Sequence, residues 1–160
     1  MEGVEFKRGR NMKKILLAGF MAGTLDATAA VVLYSKQYTL HSMAGSFRFI
    51  SRGIFGSSVT PNGALYPVLG LILHYLIATV WAAIYILVFF RVFKPGALWA
   101  KVILFGCLIW TIMNGFVLPI TGLTMMKYDG WSIMESSAII LICVSLPICL
   151  IGERKGSMRV

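Results

Sequence analysis

The stretch Ile15–Tyr34, ILLAGFMAGTLDATAAVVLY, is long enough to cross the hydrocarbon core of a bilayer as a single helix. It carries one acid, Asp26, near its middle, where an ionisable side chain is costly in lipid and needs a partner or water. Gly19, Gly23 and Ala27 recur every four residues, so a second helix can approach closely along that side. Because the acid belongs to this small-residue face, we expect it to point toward other helices.

The composition indicates a membrane protein. With 58% hydrophobic residues, 13% charged residues and a mean hydropathy of +0.82, the 160-residue chain has too little polar surface for a water-soluble globule. The net charge of +9 does not indicate nucleic-acid binding, because Lys and Arg stand at the ends of apolar segments. Cys107, Cys143 and Cys149 lie inside apolar runs without metal-ligand spacing, so we expect no disulfide framework, metal or cofactor.

Four apolar segments predict an all-α membrane protein, with four transmembrane helices in an up-down bundle. The predicted spans are residues 15–34, 65–90, 98–120 and 132–151. Together they form one domain, 15–152, between a solvated basic tail at 1–14 and a second cytoplasmic tail at 153–160. Pro147 is expected to kink the last span, because its ring removes a backbone hydrogen bond.

A fifth helix is predicted over residues 41–55, within a connection that is too polar to span. Its apolar residues fall on one helical stripe, whereas Arg48 and Arg52 fall on another. One interpretation is an outer interfacial amphipathic helix in the headgroup plane, with both arginines binding lipid headgroups. The other is an amphipathic helix packed on the end of the bundle.

The N-terminal region has a competing interpretation as a secretory signal peptide. Residues 13–29 combine a basic start, an apolar stretch and Ala27-Thr28-Ala29, which is typical of a cleavage site. The position of Asp26 and the apolar run that continues to Leu33 favour a retained membrane helix. Met12 is followed by two lysines, as at a natural translation start, which leaves the role of residues 1–11 open.

The distribution of basic residues predicts the orientation. Of the 15 Lys and Arg residues, 11 flank the ends of spans on one side, and four lie on the other, namely Lys36, Arg48, Arg52 and Lys127. The positive-inside rule then places both termini in the cytoplasm of a multi-pass inner-membrane protein, with the helix at 41–55 outside.

Single polar residues lie within the small-residue stripes of several spans. The candidate proton or solute site consists of Asp26, His74, Asn114 and Glu135. The candidate helix-packing residues are Gly19, Gly23, Ala27, Gly70, Ala78 and Gly106. Helix geometry puts Asp26, His74 and Asn114 roughly 9–14 Å from the outer ends of their helices.

This shared depth has two interpretations. In the structural one, Asp26, His74 and Asn114 satisfy one another's hydrogen bonds and fix the helix register. In the functional one, they line a hydrated cavity in which Asp26 and His74 exchange protons or hold a small polar or cationic solute. A metal or haem site is disfavoured, because His41 and His74 are the chain's two histidines and lack ligand spacing.

No catalytic motif supports an enzyme. The sequence contains no H-E-x-x-H, no G-x-S-x-G and no phosphate-binding glycine loop. The segment Gly23-Thr24-Leu25-Asp26 is comparable with an intramembrane aspartyl protease motif, but such enzymes need two facing aspartates, and Asp129 belongs to an outer loop. We therefore expect a protein without catalytic activity.

Three short motifs carry a resemblance to a known group. Residues 23–27 (GTLDA), 69–75 (LGLILHY) and 113–119 (MNGFVLP) resemble small bacterial four-helix membrane proteins, similar in outline to the YagU-like inner-membrane family. The resemblance covers residues 13–152 and implies a bacterial inner-membrane bundle with a role in envelope or acid physiology. A histidine is common in the last helix of that group, whereas residues 132–151 contain none.

The sequence thus predicts a structural or accessory membrane component that contains a buried polar cluster. The alternative is a proton-linked transporter or channel for a small polar or cationic solute, using Asp26 and His74. The expected partners are the lipid bilayer and either another membrane protein or further copies of the chain, because small-residue helix faces can pack against any of these.

Overall fold

The part of the chain that the structure describes forms five helices, which enclose a cavity near one end. A computed structural model describes residues 2–37, 43–56, 59, 64–93, 96–122 and 130–154. The helices are α1 (Glu2–Gln37), α2 (Met43–Phe55), α3 (Leu65–Val92), α4 (Leu98–Ile120) and α5 (Gly130–Glu153). These described ranges contain no strand. The prediction of an all-helical protein is therefore confirmed.

Four of the helices are long and apolar enough to cross a membrane. The apolar part of α1 is Gly9–Val32, and α3, α4 and α5 qualify over their whole lengths. This confirms the prediction of four helices of spanning length. Helix α1 begins at Glu2, so the segment predicted to be a basic tail is helical from that residue, and its exposure to solvent stays a prediction.

Three of the long helices contain a π-helical turn, in which the backbone widens by one residue. These turns are Tyr85–Phe89 in α3, Met113–Val117 in α4 and Ile140–Ser145 in α5. The turns in α4 and α5 come just before Pro119 and Pro147, whose rings cannot donate the usual backbone hydrogen bond. At Pro147 the helix therefore widens on the N-terminal side of the ring and continues to Glu153.

Close approach between α1 and α3 depends on glycine. A Cβ at Gly19 would lie 2.7 Å from the Cα of Thr79, and one at Gly23 would lie 2.8 Å from the Tyr75 ring. Both distances are shorter than carbon atoms tolerate. Gly19 meets Thr79, and the later residue Gly23 meets the earlier residue Tyr75, so α1 and α3 run antiparallel at this contact. The small-residue face of α1 is thus covered by α3.

The contact between α4 and α5 follows the same pattern. Any side chain at Gly106 would overlap with Leu141, and the Ser145 hydroxyl donates to the Val102 carbonyl at 2.7 Å. On the other side of α4, the Phe105 ring lies 4.9 Å from that of Tyr85 in α3, centroid to centroid. Tyr85 and Phe105, with Ile148 and Cys149 of α5, are fully buried. They form a dense layer across the bundle.

Helix α2 packs along the first turns of α3. A side chain at Gly70 would overlap with the backbone of Phe47, and the Ser51 hydroxyl donates to the Tyr66 carbonyl at 2.5 Å. Phe47 also meets the His74 ring edge-on, with 5.8 Å between centroids. Since later residues of α2 contact earlier residues of α3, α2 lies antiparallel to α3 and against the bundle.

Candidate functional site

A cavity of about 420 Å³ lies between the four long helices and α2. It extends along residues 22–30 of α1, 73–81 of α3 and 136–144 of α5. Phe49, Ile50, Gly53 and Ile54 of α2 line it as well. The remaining lining comes from the second half of α4, mostly from its π-helical turn and the residues that follow.

Most of the cavity wall is apolar, and a few polar side chains interrupt it. The polar lining residues are Asp26, His74, Asn114, Thr121 and Ser136. They come from four different helices or helix ends, so the fold brings together residues that are far apart in sequence. An apolar wall with a few convergent polar groups is typical of a small-molecule site of this size.

Asp26 and His74 are the ionisable residues of the cavity wall. His74 Nε2 lies 2.8 Å from the Gly23 carbonyl oxygen and 4.0 Å from Asp26 Oδ2. Because a carbonyl oxygen can only accept, Nε2 carries a hydrogen and donates it to Gly23. The distance from the Asp26 carboxylate to His74 is at the upper limit for an ion pair. The Asp26 side chain is 31% exposed, and Asp26 lines the cavity.

Asn114 belongs to a separate hydrogen-bonded chain on the opposite helices. Its amide Nδ2 donates to the Trp110 carbonyl at 3.1 Å, and the Trp110 indole donates to Ser136 Oγ at 2.9 Å. Ser136 in turn donates to the Ile133 carbonyl at 3.1 Å. These bonds join α4 to α5 and hold polar groups at the cavity wall.

The structure brings three of the four candidate site residues to one cavity. Asp26, His74 and Asn114 line it, whereas Glu135 does not, although its neighbour Ser136 does. The residues 135 and 136 point in different directions around the helix because successive positions are about 100° apart. His74 and Asn114 each hydrogen-bond to a nearby backbone carbonyl, and the mutual hydrogen bonding expected in the structural interpretation stays a prediction.

The candidate packing residues lie at helix contacts. Gly19 and Gly23 meet α3, Gly70 meets α2, and Gly106 meets α5. Ala27 and Ala78 are buried. Arg48 and Arg52 lie on α2, where Arg52 is exposed and Arg48 is partly buried. Their predicted contact with lipid headgroups stays a prediction.

A second polar cluster, which we call the ion-pair end, was not predicted from the sequence. Lys101 Nζ lies 2.6 Å from Glu153 Oε1, and the Tyr85 hydroxyl donates to the same oxygen at 3.0 Å. Lys14 donates to the carbonyls of Gly152 and Arg154 at 3.2 and 2.6 Å. Lysine is well placed there, because the C-terminus of a helix leaves its last carbonyls without partners.

The ion-pair end could have been found by comparing the ends of the predicted spans. In an up-down bundle, the beginnings of α1 and α4 meet the ends of α3 and α5, which places Lys14 and Lys101 beside Glu153. No sequence pattern predicted that α2 lines the cavity, because its apolar stripe can pack against either lipid or protein.

The cavity and the ion-pair end occupy opposite halves of the bundle. The fully buried layer that contains Tyr85, Phe105 and Ile148 lies between them. In the part of the chain that the structure covers, no group of three or more His, Cys, Asp or Glu side chains could hold a metal ion.

Comparison of the chain with protein-family models, curated proteins and solved structures found no match. The resemblance to the YagU-like family therefore stays a prediction, and a proposal about function depends on the geometry of the cavity.

Proposed function

We propose that the protein binds a small, largely apolar solute in this cavity and acts as a proton-linked transporter. One observation supports this most directly: Asp26, His74, Asn114 and Ser136, from separate helices, meet at one cavity of about 420 Å³. That volume is within the usual range for small-molecule sites. The apolar wall suits the body of the solute, and the polar residues suit a single polar group.

The position of the cavity is compatible with access from one side. It lies in one half of the bundle, and the buried layer around Tyr85 and Phe105 closes the other half. A transporter needs such a barrier on one side of its binding site at any moment. Asp26 and His74 supply groups that can take up and release a proton at the site.

The membrane placement is part of the same proposal. The four long helices would form an up-down bundle in a bacterial inner membrane, with both termini cytoplasmic, because most basic residues then flank the inner ends. Helix α2 would lie on the outer side, with Arg48 and Arg52 near lipid phosphates. The cavity would thus open toward the outer half of the bilayer.

Photolabelling with a small neutral aryl diazirine tests the binding cavity. We expect the probe to label the buried cavity residues Trp81 and Ile109 of the protein in lipid nanodiscs. Phe105, which is equally buried and lies outside the cavity, should stay unlabelled. Peptide mapping by mass spectrometry gives the readout, and labelling confined to exposed apolar residues would contradict the proposal.

A matched pair of variants sharpens this test. Met113 lines the cavity, so Met113→Trp should fill part of it and reduce labelling of Trp81 and Ile109 several-fold. Met134 is exposed and lies outside the cavity, so Met134→Trp should leave labelling unchanged. Equal labelling in both variants would show that the probe does not occupy this space.

A structural or accessory role is the second candidate, and the glycine contacts favour it. Side chains at Gly19, Gly23, Gly70 or Gly106 would collide with a neighbouring helix, as expected where close packing is the main task. Native mass spectrometry after gentle extraction distinguishes the two roles. A fixed stoichiometry with a larger complex supports an accessory subunit, whereas a lone monomer or homo-oligomer with a bound small molecule supports transport.

A further inference from the structure

We propose that the solute is a lipophilic organic cation with one positive charge, and that it replaces one exchangeable proton of the Asp26–His74 pair. This inference rests on the proposed function, because it assigns the chemical class of ligand to the same cavity. It is carried by the charge of the cavity wall, the unsatisfied Asp26 carboxylate and the apolar character of the remaining surface.

The ionisable residues of the wall favour a single cation. Asp26 is the one acidic residue among the described residues that line the cavity, and none of those residues is Lys or Arg. An ionised carboxylate in an apolar environment needs a counter-charge. A monovalent cation neutralises it, whereas an anion would add a second uncompensated negative charge.

The Asp26 carboxylate has room for such a partner. Within the described part of the chain, no side chain or backbone group donates a hydrogen bond to it, and His74 Nε2 is 4.0 Å away. The hydrogen on Nε2 is already directed to the Gly23 carbonyl at 2.8 Å. The carboxylate therefore faces the cavity with its oxygen atoms available.

The remainder of the wall favours an organic cation over a metal ion. Hard metal cations bind clusters of oxygen ligands, for Ca²⁺ six or more, at about 2.0–2.6 Å. The polar oxygens here are spread over Asp26, Asn114, Thr121 and Ser136 and are separated by apolar side chains. Trp81 lines the same space, and the face of its indole ring attracts organic cations.

The exchange of cation and proton conserves charge. Before binding, the pair holds one exchangeable proton, either on the Asp26 carboxyl group or on His74 Nδ1. When the cation enters, the proton leaves to bulk water, and the carboxylate becomes the counter-ion of the cation. Besides His74, the Cys143 thiol of α5 is a titratable side chain near Asp26, and it carries no charge at neutral pH.

Binding to a cation and to its neutral isostere tests the class of ligand. The probes are radiolabelled benzyltrimethylammonium and neopentylbenzene, in which carbon replaces the charged nitrogen. With the full-length protein in nanodiscs, and after correction for partition into empty nanodiscs, we expect the cation to bind at least roughly tenfold more tightly. Equal binding of the two probes would overturn the inference.

Variants of two acids supply the control. Asp26→Asn should remove the preference for the cation, whereas Asp26→Glu should retain it. Glu135→Gln removes an acid that does not line the cavity and should leave binding unchanged. If Asp26→Asn does not fold, the comparison of the two probes on the wild-type protein still decides the question.

The proton gives an independent readout. Because the cation replaces one proton, its dissociation constant should fall by up to about tenfold per pH unit as the pH rises, until the pair has lost its exchangeable proton. A pH indicator should detect one proton released per cation bound. A dissociation constant that does not change with pH would overturn the exchange.

The two proposals fail in different ways. Suppose that neopentylbenzene binds as tightly as the cation and that the aryl diazirine labels the buried cavity residues. The cavity then remains a binding site, and the inference about charge is wrong. If neither probe binds and the buried cavity residues stay unlabelled, the proposed function is wrong as well.

Discussion

At Gly70, the backbone of α2 occupies the space in which any other residue would carry its Cβ. We expect Gly70→Ala to displace α2 from α3 and to destabilise the fold by about 1–3 kcal/mol, the usual cost of overpacking a close contact. Thermal unfolding in detergent measures the change. Since Phe49 and Ile50 also line the cavity, the same substitution should weaken ligand binding.

Gly115 provides the matched control for this substitution. It also lies within a helix, but outside the backbone of that helix and its two chain neighbours, no atom of the described residues is within 4 Å of the position that its Cβ would take. Gly115→Ala should therefore be neutral or slightly stabilising, because alanine favours helix more than glycine does, by about 1 kcal/mol. Similar destabilisation of both variants would show that the contact at Gly70 is not the cause.

For individual residues, Asp26 and His74 show what can be predicted from the sequence and what cannot. Helical periodicity places Asp26 and His74 on inward faces, and their shared cavity follows from two helices packed by glycine. Their exact partners did not follow, since a hydrogen bond from His74 to the Gly23 carbonyl depends on ring orientation and backbone position. Periodicity gives the face of a helix and leaves distances open.

At the scale of whole helices, the ion pair between Lys101 and Glu153 links the beginning of α4 to the end of α5. The side chain of Lys101 is 7% exposed, and Glu153 is its partner at 2.6 Å. Removing one member of a buried pair leaves a charge without compensation, which costs about 3–5 kcal/mol when burial is complete. Because Glu153 is 25% exposed, we expect Lys101→Met to cost about 2 kcal/mol.

This prediction can be checked by thermal unfolding together with a double-mutant cycle. Arg91→Met is the control, because Arg91 is an exposed basic residue near the end of α3. Glu153→Gln should destabilise the protein, and the combination with Lys101→Met should cost less than the sum of the two single changes. Additive costs would show that the two side chains do not act as a pair.

At the scale of elements, hydropathy predicted the number and the class of the long helices, because a bilayer sets both length and polarity. It did not predict the π-helical turns, although Pro119 and Pro147 mark where two of them lie. A proline signals a local disturbance of the helix, but whether the backbone kinks or widens depends on the helices packed around it. The turn Tyr85–Phe89 has no proline in it to signal it.

For the whole molecule, the distribution of charge gives a testable orientation. Reporter fusions that are active on one side of the membrane should place Met1 and Val160 in the cytoplasm, and a fusion after Gly122 on the outer side. The fusion after Arg91 is the internal control and should report the cytoplasm. Termini on opposite sides would contradict a bundle with four spans.

The architecture of the bundle also shows why the sequence left open whether the polar residues line a cavity or pack against one another. Each helix presents small residues on one face, and such faces pack equally well against their own chain or another one. The cavity is lined by residues of α2 and of all four long helices, Asn114 of α4 among them. That arrangement involves all five helices and has no pattern within any single one.

The contact between Lys14 of α1 and the end of α5 has a consequence for biosynthesis. Lys14 bonds to the carbonyls of Gly152 and Arg154, which are 138 and 140 positions later in the chain. Since α1 is synthesised before α5, this contact can form only after α5 has been made. A nascent chain stalled before α5 would therefore lack this contact, and Lys14 would be without these two acceptors.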